Sequence, residues 1–233
     1  PTGEWTAGVG RFDGALEPEA PGAVRRWHDA AGARTANRGG VYPGSPLFLL
    51  DALRSEDTLV LVELIDEVRA ELALHARDPR VEILGGDGLA VLRDRTHVQG
   101  PLFAFIDPPF TRKAEWDEVA AALIALHVAR PDARALLWYP IKSLTRPNGL
   151  QSRLHQAGVP CLVLDLVTTP IERRRKALNG SGLVLVGPPH PVDAELLAVA
   201  PCLGAALATD GEWTLRARRI GLAVAPRPAD RAP

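Results

Sequence analysis

Asp107-Pro108-Pro109-Phe110 places a carboxylate, two rigid prolines and an aromatic ring directly after an apolar run at residues 102–106. The prolines oppose helix formation and stiffen the loop, which holds the Asp107 carboxylate and the Pro108 carbonyl oxygen in one geometry. Both groups accept hydrogen bonds, and an exocyclic amine of a nucleobase has two N–H groups to donate. Phe110 offers a flat face on which a flipped-out base can stack. The motif predicts chemistry on a base amine, and the alternative is a turn that ends a strand around a buried ring.

Two more carboxylates follow predicted strands. Glu63 ends the apolar run at residues 58–64, and an acidic residue at such a strand tip commonly binds ribose hydroxyls in nucleotide-binding α/β folds. Asp87 lies among glycines in Gly85-Gly86-Asp87-Gly88, where the backbone can approach a ligand closely and the carboxylate can accept from an adenine amino group. The alternatives are a solvated or helix-capping role for Glu63 and an N-cap role for Asp87.

Basic residues that could hold phosphates lie in two segments. One segment precedes the turn at residues 179–182, and the other follows the strand that comes next after Asp107. A basic loop beside a catalytic face predicts phosphate contacts, and a solvated run of charges is the alternative. The residues concerned are Arg173, Arg174, Arg175 and Lys176 in the first segment, and Lys142 and Arg146, with Arg153 as an extension, in the second.

Strands and helices are predicted to alternate along the chain, and most of the strands are apolar throughout. Strands are predicted at residues 58–64, 81–84, 102–106, 135–139, 161–166, 182–186 and 213–216. Helices are predicted at residues 19–33, 47–54, 67–75, 89–93, 114–129, 144–157 and 194–199, with Ser45 as an N-cap before Pro46. This alternation predicts an α/β fold with a doubly wound, mostly parallel sheet. Because ligands bind beyond the carboxyl ends of such strands, we expect Glu63, Asp87 and Asp107 along one edge.

Composition narrows the possible functions. The 233-residue chain has 46% hydrophobic residues and a formal net charge of −1, so a nucleic-acid contact would have to come from a local basic patch. No apolar run reaches the roughly 18 to 20 residues of a membrane span, so no membrane association is expected. The two cysteines form no CxxC pair and the six histidines lack ligand spacing. We therefore expect no metal and a cytoplasmic location.

Seven segments together resemble one family, in its order and at close to its spacing. It is the bacterial adenine-N6 methyltransferase family that acts on 23S ribosomal RNA, the RlmJ type, formerly described as involved in the use of external DNA. The resemblance runs from residue 2 to about residue 190. The segments are Thr2-Gly3-Glu4-Trp5, Tyr42-Pro43-Gly44-Ser45-Pro46, Val62-Glu63-Leu64, Gly86-Asp87-Gly88, Ile106-Asp107-Pro108-Pro109-Phe110, Leu137-Trp138-Tyr139-Pro140 and Ser181-Gly182-Leu183-Val184.

The resemblance implies a Rossmann-like class I methyltransferase fold that uses S-adenosylmethionine. It implies a remainder of a small helical insertion at residues 1–40 and a methyltransferase domain at residues 41–225, and we expect a disordered tail at residues 226–233. It also implies a substrate of ribosomal RNA that is protein-free or in an early assembly intermediate. The implied cofactor contacts are Ser45, Glu63, Asp87, Gly88 and Asp107, with Asp107, Pro108 and Phe110 at the catalytic position.

One departure and two alternatives accompany the resemblance. Family members carry an Asp-x-His-Ala-Gly-x-Gly loop that holds the methionine end of the cofactor, and no segment here matches it. We therefore expect this chain to begin just after that loop and to bind the cofactor weakly by itself. The first alternative is a DNA amino-group methyltransferase acting on adenine N6 or cytosine N4. The second is a catalytically degenerate methyltransferase fold that only binds nucleic acid. The sequence does not indicate an oligomeric state.

Overall fold

The computed structural model describes residues 19–37, 44–173, 178–208 and 210–221. It divides into two compact units, residues 1–98 and residues 99–233. Several predictions lie outside the described residues. They concern residues 2–5, Tyr42, Pro43, Arg174, Arg175, Lys176 and the tail at residues 226–233.

The first unit is built around two parallel strands. Its helices are α1 (Gly22–Asn37), α2 (Ser45–Ala52), α3 (Asp66–His75) and α4 (Gly88–Asp94), and its strands are β1 (Leu59–Glu63) and β2 (Val81–Gly85). The register pairs Leu59 with Val81 and Glu63 with Gly85. Helix α3 connects the two strands, which is the crossover that a parallel pair requires. The carboxyl ends of β1 and β2 therefore lie side by side.

Helix α2 begins one residue earlier than its capping pattern predicts. Gly44 is the N-cap residue, with φ −79° and ψ 171°, and its carbonyl oxygen accepts the N–H of Leu47 at 3.1 Å. Ser45 is thus the first helical residue and not the cap, and no side chain caps the helix. The prediction of Ser45 as an N-cap is wrong because glycine also adopts the extended N-cap conformation readily.

The second unit contains a five-stranded sheet and three helices. Its elements are β3 (Phe103–Ile106), α5 (Ala114–Ala129), β4 (Arg134–Ile141), α6 (Thr145–Gln156), β5 (Cys161–Val167), β6 (Gly180–Val186), α7 (Pro191–Leu207) and β7 (Thr214–Ile220). The strand order is β3-β4-β6-β5-β7. Strands β3 and β4 are parallel, whereas the pairs β4–β6, β5–β6 and β5–β7 are antiparallel.

The prediction of a mostly parallel sheet is wrong, because the larger sheet is mixed. Strand β5 explains the error: six of its seven residues are buried, as in a central parallel strand, yet both of its neighbours run antiparallel to it. A continuous apolar run indicates burial on both faces and carries no information on strand direction. Each predicted strand and helix overlaps an observed one, and helix α5 has the predicted bounds. The last helix and strand were predicted too short: α7 spans Pro191–Leu207 and not only residues 194–199, and β7 spans Thr214–Ile220 and not residues 213–216.

Helices cover both faces of the five-stranded sheet. On one face, Leu162, Leu164 and Leu185 form a buried cluster against Val192 and Leu196 of α7. On the other face, alternate residues of β4 from Ala135 to Ile141 are fully buried. Helices α5 and α6 contribute apolar side chains to the described core, namely Val119, Leu123, Leu126, Leu150 and Leu154. This packing fixes the edge of the sheet at which β3 and β4 end.

Candidate functional site

Asp107 and Phe110 lie at the carboxyl end of β3, in the loop that leads into α5. Phe110 has a φ of 48°, in the left-handed region that residues other than glycine rarely adopt. Its ring packs against Trp116 of α5, with ring centroids 4.4 Å apart and planes tilted by 43°. Strained backbone of this kind persists where the surrounding structure holds it, and it clusters at functional sites.

Helix α5 holds this loop through Glu115, a buried carboxylate. One oxygen of Glu115 accepts a hydrogen bond from the Thr111 hydroxyl at 3.3 Å, and the other accepts from the backbone N–H of Arg112 at 3.3 Å. The Arg112 guanidinium pairs with Glu118 at 3.0 Å. Sequence reasoning did not single out Glu115. An acidic residue in the first turn of a helix was the available signal.

The Asp107 carboxylate has no donor among the described residues. It is exposed on one side, but the protein around it removes enough water to raise the pKa of its carboxyl above the ordinary value. No described ion pair or hydrogen bond offsets that cost. A carboxylate left in this state has its acceptor oxygens available for N–H groups of a ligand.

An aromatic column connects Phe110 to the core of the second unit. Trp116 packs against Tyr139 of β4 with ring centroids 5.8 Å apart. The Tyr139 hydroxyl donates to Asp165 of β5, and Gln151 of α6 donates to the Tyr139 oxygen at 2.7 Å. Burial raises the pKa of Tyr139, and the Asp165 charge raises it further, so the phenol keeps its proton and remains a donor. The column therefore ends in a buried hydrogen-bond network that fixes the tyrosine ring.

That network also contains an arginine. Arg218 of β7 has its guanidinium 3.6 Å from the second oxygen of Asp165, whose side chain is fully buried. Gln151 donates additionally to Asp165 at 3.2 Å. A buried carboxylate is stable only when it is paired and hydrogen-bonded in this manner. The sequence segment around Tyr139 was recognised, but Gln151 and Asp165 were missed because their partners are distant in sequence.

A small pocket of about 110 Å³ lies beside Phe110. Lys142 and Arg146 line it from the loop after β4 and from the first turn of α6, and both side chains are exposed. Within the described ranges neither side chain has a carboxylate partner. The structure thus brings these two predicted phosphate contacts next to the aromatic ring of the motif. The full lining is Phe110, Trp116, Pro140, Lys142, Ser143, Arg146 and Pro147.

Two further residues that the sequence predicts as phosphate contacts, Arg153 and Arg173, already form ion pairs with carboxylates. Arg153 lies 3.1 Å from Asp117 of α5, and Arg173 lies 2.6 Å from Asp210 and 3.5 Å from Glu212. All of these pairs are exposed, so they contribute little to stability. They nevertheless lower the positive charge that either arginine presents to an anion.

In the first unit, Glu63 and Asp87 lie at neighbouring strand ends. Glu63 accepts a hydrogen bond from the backbone N–H of Ile65 at 2.9 Å. Asp87 is the N-cap of α4 and accepts from the N–H of Leu89 at 2.9 Å. The capping interpretation is therefore correct for Asp87, but it occupies only one oxygen. The second carboxylate oxygen of each residue makes no hydrogen bond to the described residues.

The backbone around these carboxylates leaves space for a ligand. Gly86 has a φ of +129°, and an added Cβ would meet no atom within 4 Å. Its N–H donates to the carbonyl oxygen of Glu63 at 3.3 Å, which links the two strand ends. Gly88 begins α4, and Ser45 is an exposed residue at the start of α2. These residues supply carboxylate and hydroxyl oxygens that can accept hydrogen bonds from the hydroxyl and amino groups of a nucleoside.

Asn179 is a buried residue that sequence reasoning missed. Its amide donates to the carbonyl oxygens of Thr169 at 3.2 Å and Pro170 at 2.9 Å, and its backbone N–H donates to Ile141 at 2.8 Å. It thereby joins the ends of β4 and β5 to the start of β6. The available signal was an asparagine before Gly180, a residue type that often bonds to nearby backbone.

The described residues contain neither a metal-ligand cluster nor a membrane-spanning helix. No group of three or more His, Cys, Asp or Glu side chains there is placed to hold a metal ion. None of the helices in those ranges combines the length and the apolar character that a bilayer span needs.

Comparison with known proteins gives a consistent result over nearly the whole chain. The family model described as ribosomal RNA large subunit methyltransferase D, RlmJ, matches residues 1–218. Ribosomal RNA large subunit methyltransferase J of Escherichia coli (strain K12) is 25% identical over 219 residues, which are 90% of this chain and 75% of that protein. The protein of the same name from Haemophilus influenzae (strain ATCC 51907 / DSM 11121 / KW20 / Rd) is 24% identical over 223 residues, 92% of this chain and 78% of that protein.

A solved structure has the same fold. The crystal structure of protein LPL1258 from Legionella pneumophila str. Philadelphia 1 superposes with a TM-score of 0.80 at 21% sequence identity. The superposition covers 94% of this chain and 82% of that protein.

Proposed function

The chain belongs to the RlmJ family of ribosomal RNA large subunit methyltransferases, and from this premise we propose that it methylates the N6 amine of an adenine in 23S ribosomal RNA with S-adenosylmethionine as methyl donor. The observation that carries the proposal is the placement of Asp107 and Phe110. An aromatic face and an unpaired carboxylate follow one strand, and Lys142 and Arg146 lie beside the ring. This combination suits a base with its phosphate backbone.

The target base would stack on Phe110, whose ring is held by Trp116. Asp107 and the Pro108 carbonyl oxygen would accept the two N–H bonds of the amine. That arrangement directs the nitrogen lone pair away from both acceptors, towards the methyl donor. The same two oxygens stabilise the positive charge that grows on nitrogen as it is alkylated, and the excess proton leaves the amine afterwards.

The first unit supplies groups that fit the cofactor. Glu63 and Asp87 each keep one carboxylate oxygen available, and Gly86 leaves the backbone between them open. We assign Glu63 to the ribose hydroxyls and Asp87 to the adenine amino group, with Ser45 and Gly88 as further contacts. When bound, S-adenosylmethionine supplies an electrophilic methyl group on a sulfonium centre.

The substrate and the domain organisation follow from the same proposal. In this proposal the described residues from Ser45 to Gly221 belong to a methyltransferase domain of Rossmann-like type, and helix α1 belongs to a small helical insertion. Ribosomal RNA that is protein-free or in an early assembly intermediate would be the substrate, because a base must leave its stack to reach Phe110. Such a substrate places the protein in the cytoplasm.

The test is methyl transfer from labelled S-adenosylmethionine to defined substrates. Protein-free 23S ribosomal RNA from cells without this modification, assembled large subunits and unmethylated DNA would be compared, and digestion to nucleosides would identify the product. We expect N6-methyladenosine in the protein-free RNA, and less product by a factor on the order of a hundred or more with the Asp107→Ala variant, which lacks the acceptor. Preferential methylation of DNA would favour the DNA enzyme. RNA binding without any transfer would favour a degenerate fold.

A further inference from the structure

A second and larger pocket, of about 580 Å³, opens at the same edge of the five-stranded sheet. Leu144 of the loop after β4 lines one side of it, Ile171 and Glu172 line another, and Trp213 and Arg216 line a third. Neither the family comparison nor the motifs assign a role to this pocket. Its volume lies within the range of small-molecule sites, which exceeds the size of a nucleobase.

Trp213 forms a rigid aromatic surface in this pocket. An added Cβ at Gly204 of α7 would lie 2.5 Å from the indole ring, so one side of the indole lies directly on the helix backbone. Trp213 is nonetheless 36% exposed and lines the pocket. An indole that is fixed by packing and remains open to solvent is a platform on which a base can stack, at little cost in side-chain entropy.

The charges around Trp213 favour a base over a phosphate. Glu172 is exposed and has no cationic partner within the described residues, and Glu212 is an exposed carboxylate that lies 3.5 Å from Arg173. Two carboxylates repel a phosphate group, but they accept hydrogen bonds from base N–H groups. Arg216 is exposed without a carboxylate partner among those residues, and it can stack on a base or bond to its edge.

The pocket lies in line with the candidate active site. Ile141 and Val167 both pair with Gly180, and Val167 also pairs with Thr214, so the ends of β4 and β5 and the starts of β6 and β7 share one edge. The strand order places Asp107 after the strand at one end of the row and Trp213 before the strand at the other end. Four inter-strand spacings, about 19 Å, separate them across the sheet, and Asp107 is also set back along the strand direction because Ile106 pairs with Leu137 whereas β4 continues to Ile141. Lys142 and Arg146 lie between them, after the second strand of the row.

We propose that the pocket at Trp213 binds a second, unpaired nucleobase of the RNA strand whose target adenine stacks on Phe110. This inference rests on the proposed function and extends it. The enzyme would recognise a single-stranded segment of several nucleotides, in which Lys142 and Arg146 hold the phosphates between the two bases. The second base adds affinity and sets the register of the strand without taking part in the reaction.

Length-dependent RNA binding tests this inference. Two fluorescently labelled RNAs would be titrated with the full chain: a trinucleotide centred on the target adenine, and a single strand with six further nucleotides on each side. The variants are Trp213→Leu, which keeps apolar packing on Gly204 but lacks a π face, and Trp213→Phe, which retains one. Phe103→Leu is the control, because Phe103 is 53% exposed and lies at the amino end of β3, on the opposite edge.

We expect Trp213→Leu to weaken binding of the long strand by about 5- to 150-fold and to leave trinucleotide binding and methylation unchanged. Trp213→Phe should restore most of the loss. An abasic nucleotide at one position of the long strand should weaken wild-type binding but have no effect on Trp213→Leu, which identifies the bound base. Equal affinity of wild type and Trp213→Leu for the long strand would overturn the inference, as would an equal loss on both RNAs. A wild-type protein that neither binds nor methylates RNA would overturn the proposed function as well.

Discussion

Gly182 lies directly opposite Tyr139 in the sheet, and the tyrosine ring occupies the space that a side chain at Gly182 would need. The same glycine pairs with Asp165 on its other side. The tyrosine ring can therefore pass over β6 and donate to a carboxylate two strands away. Tyr139 also packs against Trp116, which supports Phe110. A substitution that moves the Tyr139 ring should therefore also shift Phe110 in the candidate active site.

Gly182→Ala should destabilise the protein and lower its activity. The added methyl group overlaps the Tyr139 ring, and overpacking of a well-packed core typically costs about 1 to 3 kcal/mol. Displacement of the Tyr139 ring would disturb its packing against Trp116, which supports Phe110. We therefore expect the turnover number to fall more than the affinity for S-adenosylmethionine. Urea unfolding and steady-state kinetics measure the two effects.

Gly149→Ala is the matched control for that substitution. Gly149 lies in helix α6, and an added Cβ there meets no atom within 4 Å. Alanine in a helix is more stable than glycine by about 0.5 to 1 kcal/mol, so this variant should be slightly stabilised with normal turnover. A Gly182→Ala variant as stable as Gly149→Ala would show that the Tyr139 ring relocates without cost.

The sequence predicts the elements and the motif well because both are local. Alternating apolar segments and turn residues locate both ends of α5 correctly, and two prolines after an apolar run place Asp107 at a strand end. Strand direction is not local. Cys161–Val167 reads as a buried strand whichever way its neighbours run, so the antiparallel half of the sheet was not predicted.

The supporting contacts of the site were not predictable for the same reason. Tyr139, Gln151 and Asp165 are 12 to 26 residues apart along the chain, and only the fold brings them into one buried network. Asn179 likewise bonds to backbone atoms of two different segments, at Ile141 and at Thr169–Pro170. A polar residue in an otherwise apolar strand, such as Asp165, is the only trace of such a network in a single sequence.

Asp107→Asn should stabilise the protein at neutral pH. Desolvation raises the pKa of Asp107 in the folded state, so folding favours its protonated form. The stability that this group contributes is fully present below the unfolded-state pKa and is lost as pH rises through the folded pKa. Relative to Asp107→Asn, the wild type should therefore lose stability from about pH 4 upward. Urea unfolding of both proteins across that range measures the difference, and a constant difference would contradict the cause assigned to the shift.

Glu63→Ala and Asp107→Ala should separate cofactor binding from catalysis. Loss of a hydrogen bond to a charged group typically costs about 1.5 to 3 kcal/mol, so Glu63→Ala should weaken S-adenosylmethionine binding by that amount. Asp107→Ala should leave this affinity within a few-fold but reduce turnover by a factor on the order of a hundred or more, because it removes an acceptor that orients the amine. Calorimetric titration and single-turnover kinetics distinguish the two losses.

Glu71→Ala is the control for Glu63→Ala. Glu71 is an exposed carboxylate on helix α3 of the same unit. Its replacement by alanine changes the net charge of the protein by the same amount as Glu63→Ala. It should leave cofactor affinity and turnover unchanged. If Glu63→Ala also binds the cofactor normally, Glu63 serves only its bond to the Ile65 N–H, and another residue holds the ribose.

Lys142→Ala and Arg146→Ala should weaken RNA binding in a manner that depends on salt and not on sequence. Both side chains are exposed beside Phe110, and within the described ranges no carboxylate neutralises them. Each phosphate contact on a single strand contributes about 0.7 to the slope of log affinity against log salt, so the double variant should lower that slope by about 1.4.

Arg153→Ala is the control on the same helix, because Asp117 already pairs with that charge at 3.1 Å. Titrations of labelled RNA at several salt concentrations give the slopes. If Arg153→Ala lowers the slope as much as Arg146→Ala does, the effect reflects general surface charge, and the phosphates do not bind at Lys142 and Arg146.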